Sequence, residues 1–336
     1  MSQKKEINRR EFIRKMGLAG AGLYLAGCSN QSKEALPTPI ANAKTATPAP
    51  ETPQTGAQDP VENTPTYGDV YLSVVRGEDP RAMAMRAIAA IGGIEKFVKN
   101  GADVIVKPNI CTDYYPYEYG ATTNPQVVAA IVQLCLGAGA KRVRVMDNPF
   151  GGTALSAYKR SGIEDAVIAV GGEMEVMNNN KFRKNTIPDG VDIQEWIFYQ
   201  DILNADTVIN IPIAKQHGTT RLTLGCKNLM GTILNRGQIH ANIYQRIADL
   251  TSRVRPALTV VDGVRTLMRG GPTGGNLDDV KMSNTIIASA DVVAADSQAA
   301  TLFDLIAEDI GYIPAAAAMG LGTMDLTSVK VEEFSV

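Results

Sequence analysis

Asp103-Val104-Ile105-Val106-Lys107-Pro108-Asn109 is the stretch on which the fold turns. Its β-branched run carries no polar alternation, so it reads as a strand at 103–107 buried on both faces. A second run of the same kind, Thr207-Val208-Ile209-Asn210-Ile211, reads as its counterpart. Around these two, short β-type runs alternate with helical patterns. Strands are expected at 70–75, 141–146, 173–177, 195–198, 257–261 and 285–288, and helices at 80–100, 124–137, 155–170, 239–254 and 292–308. Such alternation predicts an α/β layered fold, a largely parallel or mixed sheet flanked by helices. One large domain and two lobes are both compatible with the length.

Ligands of open α/β sheets sit at the carboxyl ends of strands. Four expected strand ends carry polar residues: Lys107 to Cys111, Asp147-Asn148, Lys215-Gln216-His217 and Asp262-Gly263. Asp and Asn favour turns in any case, so it is the agreement across four strands that marks a site. The densest block is 215–240. It holds the chain's two histidines, His217 and His240, with Cys226, Lys227 and Asn228 between them. Histidine is the usual acid or base near neutral pH and a common metal ligand.

His217, Lys215 and Lys107 are therefore the candidate catalytic residues. Asn109, Lys227 and Asn228, with Gly271 and Gly274 of the glycine-rich loop 270–275, are the candidate ligand-binding residues. Buried ammonium groups need partners, so Lys107, Lys215 and Lys227 are expected to converge on an anionic small molecule. A metal ion is the candidate cofactor, with His217, His240, Cys226, Asp147 and Asp262 as ligands. The alternative is two isolated histidines and a buried thiol. The glycine loop matches neither a Walker A loop nor a dinucleotide fingerprint, and a plain loop is its other reading. The tyrosine-rich segment 114–119 reads as a substrate mouth or as a packed surface loop. Cys135, in an apolar helical pattern, reads as core. No ferredoxin-type cysteine run is present.

The first residues carry a different message. Asn8-Arg9-Arg10-Glu11-Phe12 supplies paired arginines in a basic flank, a short apolar run follows, and Leu25-Ala26-Gly27-Cys28 closes it. Residues 1–27 thus read as a twin-arginine signal peptide with a lipobox, and Cys28 as the lipidated residue. Residues 28–68, rich in Pro, Thr and Ala, read as a tether, and 69–336 as the globular domain. The expected partners are the twin-arginine export machinery, the lipoprotein-processing enzymes and a bacterial membrane reached through the lipid. Residues 1–27 hold six basic and two acidic side chains and the whole chain is −2, so the remainder is near −6. That balance disfavours nucleic-acid binding.

Taken in order, Val106-Lys107-Pro108-Asn109, Thr123-Asn124-Pro125, Asp147-Asn148, the segment from Ile211 to His217, Gly225-Cys226-Lys227-Asn228, Val260-Val261-Asp262-Gly263 and Gly270-Gly271-Pro272 resemble the domain-of-unknown-function 362 family. The resemblance implies the fold and the importance of Lys107, Asn109, Lys215, His217, Lys227, Asn228 and His240. It implies no reaction. The expectation is an exported, membrane-anchored lipoprotein, a metal- or cofactor-associated enzyme acting on an anionic small molecule. A non-catalytic solute-binding or assembly lipoprotein is the alternative.

Overall fold

The parallel strands predicted at 103–107 and 207–211 lie side by side at the centre of a ten-stranded sheet in a computed structural model that describes residues 70–336. The expected signal peptide, Arg9, Arg10, Cys28 and the tether lie outside the described residues. The chain runs through β1 (Leu72–Arg76), α1 (Pro80–Ala90), β2 (Asp103–Pro108), α2 (Pro125–Gly137), β3 (Arg142–Val145), α3 (Ala154–Arg160), α4 (Ile163–Ala169) and β4 (Glu173–Met174). A hairpin of β5 (Phe182–Thr186) and β6 (Glu195–Tyr199) forms a separate two-stranded sheet. After α5 (Gln200–Asn204) come β7 (Thr207–Ile211), β8 (Ile213–His217), β9 (Arg221–Thr223), α6 (Gly225–Asn228), α7 (Arg236–Ile239) and α8 (Ile243–Val254). The chain then passes through β10 (Leu258–Leu267), β11 (Val280–Ser289), α9 (Val292–Ala300), α10 (Tyr312–Ala318) and β12 (Val331–Ser335).

The sheet order is β12-β1-β11-β10-β7-β2-β3-β4, with β8 and β9 extending from β10. The run from β10 to β4 is parallel, and β11 is antiparallel to both β10 and β1. The sheet is therefore mixed, with a parallel half. Side chains alternate across it as the pleat requires. Val104, Val106, Val143, Val145, Ile209 and Ile211 pack with α1, α2 and α4 on one face. Ile105 and Val208 pack on the other face, in the layer built by α8, α9 and α10. Each such fully buried aliphatic side chain contributes about 1.5–3 kcal/mol. Lys107 is two residues beyond Ile105, so the same alternation sends it to the α8–α9 side.

Several elements differ from the expected ones, each for a local reason. The helix read at 155–170 is two, because Gly162 adopts φ +75° between α3 and α4. The helix read at 80–100 stops at Ala90, ahead of Gly92 and Gly93, both at positive φ. The helix read at 292–308 stops at Ala300. Lys215-Gln216-His217 are the last three residues of β8, a strand of its own rather than the loop beyond β7. Pro212 interrupts β7, and the chain resumes as β8 in antiparallel pairing with β9. Asp262 likewise lies inside β10 rather than after it.

Candidate functional site

β2 delivers Lys107 to the site with its ammonium sealed, at 1 % exposure. Its Nζ donates to Asp147 Oδ1 at 2.9 Å, Pro108 O at 3.1 Å and Asn228 Oδ1 at 3.2 Å. Burial pulls its pKa down, and the Asp147 carboxylate opposes that pull. Asp147, just beyond β3, also accepts the N–H of Ile110 at 2.6 Å and of Asn148 at 2.9 Å. The pair thus ties the ends of β2 and β3 together.

Asn228, the last residue of α6, is the hub. Its Oδ1 accepts from Lys107 and from Asn109 Nδ2, the latter at 2.8 Å, and its Nδ2 donates to Asn210 Oδ1 at 2.8 Å. A side-chain amide that both donates and accepts can satisfy such a buried network completely. Lys215 is fully buried, and its Nζ donates to Asn109 Oδ1 at 2.9 Å, Cys111 Sγ at 3.0 Å, Ala121 O at 2.6 Å and Pro272 O at 2.9 Å. Four acceptors for three N–H groups leave it no donor to spare.

In front of this scaffold lies a cavity of about 300 Å³. Its walls come from the ends of β2 and β3 (Asn109, Cys111, Asp147, Phe150), from the β8–β9 hairpin (His217, Thr223), and from the α6–α7 region (Lys227, Asn228, Met230, Arg236, His240), with Pro272 at one edge. Lys107 and Lys215 do not line it. The expectation that they would touch a ligand directly is corrected: both brace the wall from behind.

Of the three lysines, Lys227 is the one that lines the cavity. It is 9 % exposed, and among the described residues the one polar contact of its Nζ is Met230 Sδ at 3.9 Å. Burial lowers its pKa to about 8; Cys111 resists that fall, while Lys215 and Arg236 add to it. Arg236 donates from Nη2 to Asn148 O at 2.5 Å and has no carboxylate partner among the described residues. Burial lowers its pKa too, against the pull of Asp147.

His217 is half-buried. Its Nδ1 accepts the N–H of Thr219 at 3.1 Å and of Thr220 at 3.4 Å, which places the proton of the neutral ring on Nε2. Burial first, then the charges of Lys227 and Lys215, lower its pKa to about 3. The imidazole is therefore neutral at pH 7, too weak a base for efficient proton abstraction, and better suited to donate a hydrogen bond from Nε2. His240 is exposed, with Nδ1 3.2 Å from Arg236 O.

The expected metal set is not assembled. Cys226 is fully buried, its thiol pKa raised well above the ordinary value by burial and then by Asp296, and its backbone N–H donates to Asp296. Asp262 lies away from the cavity lining and accepts the N–H groups of Asn124 at 2.7 Å and Val264 at 3.0 Å. His217, His240 and Asp147 do share the cavity wall. Among the described residues, no group of three or more His, Cys, Asp or Glu is gathered to hold a metal ion.

The glycine loop contributes through shape rather than through N–H donors. Gly271 donates to Gln216 Oε1 at 2.8 Å, and a Cβ there would meet Gln216 O at 1.7 Å. Gly274 donates to Gly270 O within the turn. Neither lines the cavity, which corrects their expected role; Pro272 reaches it instead. The tyrosine segment packs on itself, Tyr115 stacking on Tyr119 at 4.8 Å, and does not line the cavity. Sequence reasoning missed Arg236, Phe150, Met230 and Thr223. The sequence places Cys111 in the polar strand end that begins at Lys107 but assigns it no role, although the thiol lies two residues beyond the buried amide of Asn109.

A mixed α/β sheet with a basic cavity at the ends of its central strands is the class this architecture defines. The model of the family described as Domain of unknown function (DUF362) matches residues 104–301, and the chain belongs to that family. The match takes in every cavity residue named above. The chain is 27 % identical over 261 residues to the thylakoid-associated protein sll1697 of Synechocystis sp., covering 74 % of this chain and 78 % of that protein. It is also similar to the lactate racemase apoprotein from Thermoanaerobacterium thermosaccharolyticum, with a TM-score of 0.42 and 11 % identity over 67 % of this chain. The chain spans 55 % of that racemase chain.

Proposed function

We propose that the cavity binds a small organic anion and that the protein acts on it as an enzyme. The observation that carries this reading is Lys227, nine-tenths buried against the cavity with no carboxylate partner among the described residues. A buried, unpaired ammonium is costly, and an anion from solution offsets that cost. Arg236 adds a second cation, and the neutral His217 adds a donor for an oxygen of the ligand. The single lining carboxylate named above, Asp147, is already neutralised by Lys107.

Calorimetric titration with sulfate, whose charge is constant between pH 6 and 9, tests the reading. Sulfate binds the parent chain, and binding weakens as pH rises through about 8, because Lys227 is protonated below that value and neutral above it. Removing one charge-assisted contact costs about 1.5–3 kcal/mol, so Lys227→Met lowers affinity by about tenfold or more and flattens the pH dependence. Equal sulfate affinity in both proteins would sink the proposal.

A second reading is capture without turnover, and the pKa of His217 favours it, since no imidazole there is poised near neutral pH. Recovering the bound anion chemically unchanged after prolonged incubation supports capture. Elemental analysis and an absorption spectrum of the folded protein check the expected cofactor association. The export signal and the lipid on Cys28 remain part of the proposal, placing the cavity outside the cytoplasm on a membrane tether.

A further inference from the structure

Of the three free cysteines among the described residues, Cys111 alone combines partial exposure with a position on the cavity wall. Cys135 and Cys226 are fully buried, and burial pushes the Cys135 thiol up to about 12. Structural cysteines are buried and inert, whereas reactive ones sit partly exposed in electropositive surroundings. Cys111 has such surroundings. Its Sγ lies 3.0 Å from the Lys215 ammonium and 3.1 Å from Asn109 Oδ1, so its position is fixed from two sides. Electrostatic interaction also reaches it from Lys107, Lys227 and Arg236.

A second feature points to a ligand beside the sulfur. Lys227 is nine-tenths buried on the same wall, and Thr223, also lining the cavity, is 3 % exposed; among the described residues the Lys227 ammonium touches only Met230 Sδ and the Thr223 Oγ1 has no hydrogen-bond partner. Unused donors that are otherwise costly to bury wait for oxygen atoms the chain does not supply.

We infer that Cys111 is the nucleophile of this cavity, acting on a small anion that carries an electrophilic carbonyl carbon. The inference rests on the anion-binding reading and adds the chemistry. The sulfur lone pair forms an S–C bond at the carbonyl carbon, the C=O π pair passes to oxygen, and the thiol proton ends on that oxygen. The product is a hemithioacetal, and no further reactant enters. Lys227 holds the anionic group, and Lys215 positions the sulfur.

Alkylation of the folded full chain by iodoacetate and by iodoacetamide tests this, with peptide mapping to assign the label and glutathione as the free-thiol reference. Either reagent forms an S–C bond, breaks C–I, and releases iodide and the thiol proton. A cleft of one charge sign raises the local concentration of the opposite sign by about 10-fold or more. The iodoacetate-to-iodoacetamide rate ratio at Cys111 therefore exceeds that of glutathione by about tenfold. Lys227→Gln returns the ratio toward the reference, and sulfate protects the parent protein without any substitution. Glyoxylate, an anionic aldehyde, protects better than acetate at equal concentration. A parent ratio equal to that of glutathione overturns the inference. Equal protection by glyoxylate and acetate overturns its covalent step. If sulfate still binds by calorimetry in those cases, the anion-binding reading survives on its own; if sulfate neither binds nor protects, both fall.

Discussion

The buried lysines divide by partner, and the division predicts how each fails. Lys107 is matched by Asp147, so removing it strands a buried carboxylate. Breaking one side of a buried pair costs about 3–5 kcal/mol, whereas replacing both by apolar residues costs less. Lys107→Met accordingly lowers the urea midpoint by that equivalent, and Lys107→Met/Asp147→Leu recovers part of it. Lys227 has no such partner among the described residues, so Lys227→Met leaves the folded chain as stable as the parent or more so while losing the anion. The opposite pattern, an unstable Lys227 variant and a tolerated Lys107 variant, would show that the roles are reversed. All three lysines stood out in the sequence, as charges at the ends of apolar runs. Their separation into bracing and ligand-facing groups did not, because it depends on whether an acceptor 40 or 121 positions away arrives beside the ammonium, as Asp147 and Asn228 do for Lys107.

α6 shows the same limit for whole elements. It is one turn long, too short for propensity to specify, and a buried carboxylate from α9 holds it in place. Asp296 accepts the N–H groups of Gly225 at 2.5 Å and Cys226 at 2.9 Å, which aims Lys227 at the cavity and Asn228 at the scaffold. Burial raises the Asp296 pKa to about 7, against the help of those N–H groups. An acid whose folded pKa is raised stabilises most below its unfolded value, and that stability is lost as pH rises through the folded value. Asp296→Asn removes this loss. Its unfolding free energy relative to the parent therefore climbs between pH about 4 and about 7, a trend that urea titrations at pH 5 and 7.5 resolve; a pH-independent difference would refute the assignment. The central strands, by contrast, were legible almost to the residue, since a run such as Val104-Ile105-Val106 fits few places other than a two-faced core. The break at Gly162 was hidden because apolar spacing continues across it, from Ala157 to Ile163 and Val167. β8 was hidden because Pro212 reads as the end of a strand, when here it marks the point where the chain changes neighbours.

The described globule carries no helix long and apolar enough to cross a membrane, so the proposed membrane association rests on the N-terminal residues. Lipid on Cys28 and export by Arg9-Arg10 make separable predictions. A single acyl chain binds a bilayer only marginally, and stable anchoring takes more than one, so anchoring should depend on full processing at Cys28 rather than on the protein surface. Cys28→Ala moves the protein from the membrane fraction to the soluble fraction of the exported compartment, with sulfate binding unchanged. Arg9→Lys/Arg10→Lys instead retains it in the cytoplasm, uncleaved. The two outcomes are read by fractionation and by the mass of the mature N-terminus. A Cys28→Ala protein that has lost its signal peptide and still stays with the membrane would transfer the anchoring role to the globule, and Phe150, an exposed apolar side chain on the cavity wall, would be the first residue to substitute.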